Sequence, residues 1–310
     1  MRIAILDLGT NTFHLLIVSV NKKGEWRKIF KSKTVVKLGE GSDNLNVISD
    51  KAYQRGLKAM VHYKEIIDEH KPKKVFAFAT SAIRSSDNGI DFVKDVFMKT
   101  EIQIEIISGD KEAEFIYYGV KQCVDLSKGK SLIMDIGGGS TEFIIADDHQ
   151  IYWKYSYNIG VARLLQTIKP SDPIILDELK AVKLFLGKEL KPLIEAVQLY
   201  KPDKLIGSSG SFDTFAEMIG YLFYKKNIIK GVRTYDFDFN EYQKLNERIL
   251  FSTAVQRKKM KGLVKMRVDM IVMAAICTTF VLEKTKIKQL SLSKFALKEG
   301  ALQVVLESLK

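Results

Sequence analysis

The stretch DIGGGSTE, from Asp135 to Glu142, lies between two apolar runs. Its three glycines let backbone N–H groups approach an anion, because no Cβ stands in the way. The hydroxyl groups of Ser140 and Thr141 add hydrogen-bond donors. The carboxylates at the two ends suit a hard cation that bridges carboxylate and phosphate oxygens. The stretch therefore predicts a strand–loop–strand unit that binds phosphate groups, in preference to a simple glycine-rich hairpin with solvated acids.

A second stretch of the same design, DLGTNTFHLLI from Asp7 to Ile17, can be laid over DIGGGSTEFII from Asp135 to Ile145. In each, an Asp ends an apolar strand, a Gly follows two residues later, and a hydroxyl residue comes five residues after the Asp. A repeat of this kind indicates a duplicated domain. The first third of the chain alternates strand and helix patterns, which favours an α/β architecture with a cleft between the two halves.

The second half of the chain is predicted to be more helical. Helices are expected over 160–168, 175–199, 211–224, 241–251 and 269–283, with short strands at 204–206 and 289–292 and a closing helix over 295–309. The longest apolar run, Met270 to Leu282, is too short to span a bilayer and predicts a buried helix. The chain begins without an apolar leader, and its two cysteines lie far apart. These features predict a cytoplasmic protein without membrane contact, disulfide or zinc site.

The chain of 310 residues carries a formal net charge of +12, from 49 Lys and Arg against 37 Asp and Glu. A surplus of this size favours polyanionic partners. Much of it lies in residues 221–270, where we predict that Arg257, Lys258, Lys259 and Lys261 form a surface guiding a phosphate chain toward the cleft. A solvated helix face is the alternative. Because this segment lacks interleaved aromatic residues and matches no standard module, a specific nucleic-acid partner is not predicted.

Other segments carry groups that suit phosphate. The loop from Gly9 to Thr12 and the turn from Gly207 to Ser211 are rich in hydrogen-bond donors. Arg84 follows a predicted strand, and its forked guanidinium could bind a phosphate or simply face solvent. Glu112 lies in the first turn of a predicted helix, where these residues alone favour a partner for the helix dipole over a catalytic role.

Taken together, and in this order along nearly the whole chain, these segments resemble the exopolyphosphatase/guanosine pentaphosphate phosphohydrolase (Ppx/GppA) family of the acetate/sugar kinase–Hsp70–actin superfamily. The stretch DIGGGSTE is highly specific to that family. The other matching segments are DLGTNT (Asp7–Thr12), LGEG (Leu38–Gly41), ATSAIR (Ala79–Arg84), SGDKEA (Ser108–Ala113), IGVARL (Ile159–Leu164), GSSGS (Gly207–Ser211), RVD (Arg267–Asp269) and LKEG (Leu297–Gly300).

The resemblance implies an α/β fold of two ribonuclease H-like (actin-like ATPase) domains separated by a cleft. Residues 1–121 with 295–310 would form the first domain and residues 122–294 the second, in the short form of the family. The implied reaction is Mg²⁺-dependent hydrolysis of the terminal phosphoanhydride of inorganic polyphosphate, or of the 5′-γ-phosphate of pppGpp, a nucleotide of the stringent response. The implied assembly is a cytoplasmic homodimer.

The resemblance also implies roles for individual residues. Glu112 would activate the attacking water, which replaces the helix-dipole interpretation, and Glu142 would be a second catalytic carboxylate. Asp7, Asp135 and Glu142 would bind the metal. The implied phosphate-binding residues are Thr10, Asn11, Thr12, Arg84, Gly137, Gly138, Gly139, Ser140, Ser209, Gly210, Arg267 and Lys298.

At three positions, His14, Lys37 and Lys298, the chain departs from the arginine that is usual in the family. Each departure replaces a forked cation by a point charge or a titratable ring, so the choice between polyphosphate and pppGpp stays open. Two other classes are alternatives: an ATP-dependent small-molecule phosphotransferase of the same superfamily, and a non-catalytic sensor of polyanions or nucleotides. The acidic residues of the cleft disfavour the sensor, since a binder of polyanions gains nothing from carboxylates.

Overall fold

The computed structural model describes residues 1–41 and 46–309. Its strands are β1 (Arg2–Leu8), β2 (Thr12–Val20), β3 (Trp26–Val35), β4 (Lys74–Ala79), β5 (Ile104–Ile106), β6 (Ser131–Ile136), β7 (Thr141–Ala146), β8 (Ile151–Tyr157), β9 (Lys204–Ser208), β10 (Thr234–Phe237) and β11 (Gln289–Ser293). Its helices are α1 (Asp50–His70), α2 (Ser81–Arg84), α3 (Gly89–Thr100), α4 (Gly109–Lys121), α5 (Val161–Ile168), α6 (Leu176–Glu189), α7 (Lys191–Tyr200), α8 (Ser209–Phe223), α9 (Phe239–Leu250), α10 (Ala254–Lys258), α11 (Met270–Thr285) and α12 (Leu297–Ser308), with a 3₁₀ turn at Lys265–Arg267.

The first five strands form one sheet, in the order β3-β2-β1-β4-β5. Strands β1, β2 and β3 are antiparallel to one another, whereas β4 and β5 run parallel to β1. Apolar side chains of β1 fill both faces of the sheet, with Ile3 and Ile5 on one side and Ala4 and Leu6 on the other. A strand covered on both faces is apolar throughout, which explains the unbroken apolar run at the start of the chain.

The remaining strands form a second sheet, in the order β10-β11-β9-β6-β7-β8. Again three consecutive strands, β6, β7 and β8, are antiparallel, and β9 and β11 join in parallel beyond β6. This repeats the first sheet, with β6 in the place of β1, and adds β10 as an antiparallel edge strand. The repeated topology confirms the predicted α/β fold of two ribonuclease H-like units.

Helices α4 and α12 share a core with both sheets. This core contains Ile5 and Val18 of the first sheet, Ile133 and Ile144 of the second, and the apolar faces of both helices. The last helix, α12, packs along α4 and contacts β1. The residue limits of the two domains stay a prediction.

Separate helices cover the other face of each sheet. Helices α1 and α3 cover the first sheet, with Tyr63 and Phe92 in the core between them. The second sheet packs against α7, α8, α9 and α11. Most of α11 is buried, which confirms the predicted buried helix. Within residues 1–41 and 46–309, no helix combines the length and the apolar character needed to cross a membrane.

The predicted single helix over 175–199 is wrong. The structure has two helices there, α6 and α7, which meet at Leu190. Pro192 lies in the first turn of α7, where its missing N–H costs nothing, but its ring could not be accommodated inside a continuous helix. Strand β10 was not predicted either.

The predicted guiding surface is wrong at one of its four residues. Arg257 is only 4% exposed: its guanidinium donates to the carbonyl of Val268 and pairs with the carboxylate of Asp172 at 2.7 Å. Its charge therefore holds the 254–268 segment in place. Lys258, Lys259 and Lys261 are exposed, and their guiding role stays a prediction.

Candidate active site

The carboxyl ends of strands from both sheets meet at one cavity of about 280 Å³, and this cavity is the cleft. Asp7 near the end of β1 and Asp135 near the end of β6 both line it, as do residues that follow β4 and β9. Open α/β sheets bind ligands at this edge, because the loops after parallel strands converge there. Asp7 and Asp135, which occupy the same position in the two copies of the sequence repeat, thus lie on two sides of one cleft.

The two repeated loops are closed by the same hydrogen bond. In the first, the N–H of Gly9 donates to the carbonyl of Thr12 over 3.2 Å. In the second, the N–H of Gly137 donates to the carbonyl of Ser140 over 3.0 Å. The structure therefore confirms that the two stretches are equivalent.

These loops also pack directly against each other, which requires glycine at the contact. A Cβ on Gly138 would lie 2.5 Å from Nδ2 of Asn11. A Cβ on Gly139 would lie 2.6 Å from Oγ of Ser81 and 2.8 Å from Oγ1 of Thr10. The buried Ser81 hydroxyl has no hydrogen-bond partner among the described residues, so it can serve a bound group. The contact forms a cradle of amide, hydroxyl and backbone donors.

Buried carboxylates lie beside this cradle. Asp7, Asp135 and Glu112 line the cleft, and Glu142 is set back from it as the neighbour of Asp135 across the β6–β7 pair. Burial raises the pKa of Asp7 to about 7; Lys298 opposes the rise and Asp135 adds to it. Burial and Asp135 also raise the pKa of Glu142 to about 7. The carboxylates repel one another, and a bound cation would relieve that repulsion.

Glu112 forms an ion pair with Arg84. Its side chain is 7% exposed, and Nη1 of Arg84 donates to its Oε2 over 2.8 Å and to the carbonyl of Ile107 over 2.9 Å. Burial and Glu142 raise the pKa of Glu112 well above its usual value, while Arg84 opposes the rise. Arg84 thus contacts the predicted base and does not line the cleft.

A third turn, between β9 and α8, supports the second side of the cleft. The hydroxyl of Ser208 donates to the carboxylate of Asp135. Gly210 lies against Arg267, since a Cβ there would be 1.7 Å from Nη2 of the guanidinium. This turn therefore positions both the carboxylate of Asp135 and the guanidinium of Arg267.

The structure brings most of the predicted site residues together. The predicted residues that line the cleft are Asp7, Thr10, Asn11, Thr12, Glu112, Asp135, Gly137, Gly138, Gly139, Ser140, Ser209, Gly210, Arg267 and Lys298. Arg84 and Glu142 are set back, next to Glu112 and Asp135. The individual roles of all these residues stay predictions.

Four charged residues of the cleft were not predicted: Lys31, Lys33, Asp213 and Lys294. The two lysines of β3 could have been found from their spacing, because residues two apart on a strand share a face. The spacing does not show which face that is. The β2–β3 register, which pairs Lys33 with His14, is needed for that.

Comparison with family models matches residues 16–309 to the Ppx/GppA phosphatase family. This chain belongs to that family. Over 297 residues it is 32% identical to a bifunctional 3-dehydroquinate synthase/phosphatase of Fusobacterium nucleatum, covering 90% of this chain but only 43% of that protein. Over 310 residues it is 26% identical to Exopolyphosphatase 1 of Mycobacterium tuberculosis, covering 99% of this chain and 89% of that protein.

Solved structures show the same fold. The crystal structure of an exopolyphosphatase from Cytophaga hutchinsonii superposes with a TM-score of 0.96 at 34% identity, over 100% of this chain and 99% of that one. The Ppx/GppA family member of Aquifex aeolicus superposes with a TM-score of 0.81 at 25% identity, over 99% and 98% of the two chains. The chain is therefore a phosphatase-family protein along its length.

The side chains of the cleft fit Mg²⁺. Asp7, Asp135 and Glu142 offer carboxylate oxygens, and burial, with Asp135 adding to the rise at Asp7 and Glu142, raises their pKa values. In the part of the chain that the structure describes, no group of three or more His, Cys, Asp or Glu side chains is arranged to hold an ion. An ion would therefore take one or two of these carboxylates together with phosphate and water oxygens, which is the usual coordination of Mg²⁺.

Proposed function

We propose that this chain is an exopolyphosphatase that removes the terminal phosphate of inorganic polyphosphate, using Mg²⁺ and a water activated by Glu112. The observation that carries the proposal is that a buried carboxylate, Glu112, shares one cleft with two donor-rich loops. The similarity of nearly the whole chain to proteins named exopolyphosphatase supports the substrate class.

The loops suit the terminal phosphate. Phosphoryl transfer depends on positioning and on neutralising charge that spreads over the transferred group. The N–H groups of Gly138 and Gly139 and the hydroxyl of Thr10 would hold phosphate oxygens, while Arg267 and Lys298 would supply positive charge. When bound to Asp7 or Asp135, Mg²⁺ would neutralise further phosphate charge.

Glu112 would take the proton. In its ionised form it accepts a proton from water, the water oxygen bonds to the terminal phosphorus, and the bridging P–O bond breaks. The products are orthophosphate and a chain one unit shorter. Arg84, 2.8 Å from the carboxylate, favours the ionised form, whereas burial and Glu142 favour the protonated form. This balance sets the pH range in which Glu112 can act as a base.

The same terminal anhydride occurs in pppGpp, so the substrate is tested directly. We expect kcat/KM with Mg²⁺ to be higher on long polyphosphate than on pppGpp, measured by orthophosphate release without an added acceptor. A preference for pppGpp would overturn the substrate assignment. Release only in the presence of an acceptor would favour a phosphotransferase instead.

Replacing Glu112 by Gln tests the proposed base. We expect kcat to fall by about 10²–10⁴-fold, because a positioned general base contributes that much, while polyphosphate affinity changes little. The matched control is Asp110→Asn, an exposed acid in the same first turn of α4. If both variants lost activity equally, or Glu112→Gln kept near-normal turnover, Glu112 would be only a partner of the helix dipole.

A further inference from the structure

The cleft-facing side of β3 carries two lysines in a defined register. The β1–β2 and β2–β3 pairings place Asp7, His14 and Lys33 in one row across the first sheet. Two rows further along, and therefore again on the same face, the pairings place Ile5, Leu16 and Lys31 together. Cross-strand neighbours share a face, so both lysines lie on the same face as Asp7. Lys33 and Lys31 also line the same cleft as the donor-rich loops.

Three other cations lie near these lysines, with the carboxylate of Asp213 among them. Arg267, Lys294 and Lys298 line the cleft too, and Asp213 interacts electrostatically with all three. The positive charges are close enough to oppose one another. Partial burial and Arg267 lower the pKa of Lys33 to about 8, and Lys298 is the main cause of the lowered pKa of Lys31; both residues are still exposed to solvent.

Most of these cations are already engaged. Lys298 pairs with Glu299 at 3.1 Å, Lys294 donates to the carbonyl of Ile229 over 3.0 Å, and Arg267 donates to Oγ1 of Thr214 over 2.7 Å.

Lys31 and Lys33 differ from them. Within residues 1–41 and 46–309, neither lysine has an ion pair or a side-chain hydrogen bond, and Oδ1 of the shared Asp213 has no hydrogen-bond partner either. The cleft therefore holds two uncommitted positive charges, side by side on an edge strand.

We propose that Lys31 and Lys33 bind the phosphate units behind the terminal one, so that β3 sets the preference of the enzyme for long polyphosphate chains. This inference rests on the proposed function. A row of ammonium groups suits a repeating anion, since every unit of the chain carries negative charge. Lysine is a flexible point charge without the fixed fork of arginine, so a chain can shift along the row after each cleavage.

The test compares chain lengths. Lys31→Gln, Lys33→Gln and the double variant are compared with Arg27→Gln, which removes one charge from the same strand. Arg27 pairs with Ser19 and lies on the opposite face, away from the cleft. KM and kcat are measured on tripolyphosphate and on long-chain polyphosphate. Affinity for both polymers is measured by calorimetry in excess chelator.

We expect the double variant to bind long chains about 10-fold more weakly and to raise KM for them by a similar factor, since a charged cleft concentrates anions by at least that much. Tripolyphosphate should change by less than about 2-fold, and the wild-type preference for long chains should weaken with salt. Equal losses on both substrates, no loss, or the same loss in Arg27→Gln would overturn the inference. If wild type bound long chains by way of these lysines but released no phosphate, the proposed function would fail while the binding site stood.

Discussion

At the scale of single residues, the pair of Glu112 and Arg84 bears directly on the proposed role of Glu112 as a base. Burial raises the pKa of Glu112, whose side chain is 7% exposed, and the Arg84 guanidinium beside it opposes that rise. Arg84 donates to Glu112 through Nη1, which also bonds the carbonyl of Ile107, so the guanidinium is held in place by the backbone. In the proposed mechanism, Arg84 would therefore act on the reaction through the charge of Glu112.

Replacing Arg84 by Met should move the acid limb of the pH–rate profile to higher pH. Arg84 lowers the pKa of Glu112, so its loss raises that pKa, and the ionised base then forms only at higher pH. We expect a shift of about one pH unit, at the low end of what an adjacent cation causes. Arg84→Lys, which keeps the charge, should shift the limb less. If KM rose at every pH and the limb stayed in place, Arg84 would instead bind phosphate directly.

The positions of residues could be predicted from the sequence where chain geometry alone determines them. Asp7 and Asp135 end buried strands, so their position at the sheet edge follows from the pattern. Lys33 could not be found that way, because its place depends on pairing with a neighbouring strand. Arg257 was wrongly predicted to be exposed, because the sequence of a basic run does not show which of its members is buried.

At the scale of elements, the crossing of α4 and α12 positions the cleft. Both helices approach through glycine: a Cβ on Gly300 would lie 1.6 Å from the carbonyl oxygen of Phe115, and one on Gly119 would lie 2.0 Å from that of Ala296. Glu112 lies on α4 and Lys298 on α12, and both line the cleft. The close packing of the two helices therefore brings Glu112, the proposed base, and Lys298, a proposed phosphate-binding residue, to the same cleft.

Gly300→Ala should destabilise the protein strongly, by about 3 kcal/mol or more, because the new methyl group meets backbone that cannot move without separating the helices. The control is Gly187→Ala in α6, where the nearest atom is 3.8 Å away. That exposed helical site should gain about 0.5–1 kcal/mol from the lower flexibility of alanine. Thermal unfolding of both variants checks the pair, and equal stabilities would show that the helices tolerate a wider spacing.

Helices could be predicted from the sequence where the spacing of the apolar residues agrees with the position of a capping residue. The predicted helices over 211–224 and 241–251 are present as α8 and α9, and α9 begins after the capping residue Asp238. The break between α6 and α7 was missed because both helices bury an apolar face, so the periodicity continues across Leu190. Pro192 was the only local sign of the break, and proline is equally at home in the first turn of a new helix.

At the scale of the whole molecule, duplication has concentrated charge of both signs in one place. Each copy of the repeat ends a buried strand with an aspartate, so Asp7 and Asp135 meet in the cleft and each raises the cost of ionising the other. The chain as a whole is strongly basic, at +12. The surplus positive charge attracts a polyanion over a distance. The buried acids of the cleft would instead attract the cations that accompany the polyanion.

These buried acids make folding stability depend on pH. The folded-state pKa of Asp7 is about 7, well above its value in an unfolded chain of about 4. The folded state therefore binds the extra proton between these values, and stability is lost as pH rises through that window. His14, whose pKa burial lowers, has the opposite effect near its ordinary pKa, so the clean measurement is a difference between two proteins.

Asp7→Asn, a neutral replacement of similar shape, should therefore melt at a higher temperature than wild type at pH 8 in chelator, by about 5 °C. At pH 5 the difference should be smaller than at pH 8, because only the part of the window between about pH 4 and pH 5 has then been crossed. Adding Mg²⁺ at pH 8 should raise the melting temperature of wild type more than that of Asp7→Asn, since a bound ion favours the ionised carboxylate. Scanning fluorimetry at both pH values, with chelator or Mg²⁺, measures all four differences. A variant less stable than wild type at pH 8 in chelator would mean that ionised Asp7 is compensated by the protein itself, and an equal response of both proteins to Mg²⁺ would place the ion away from Asp7.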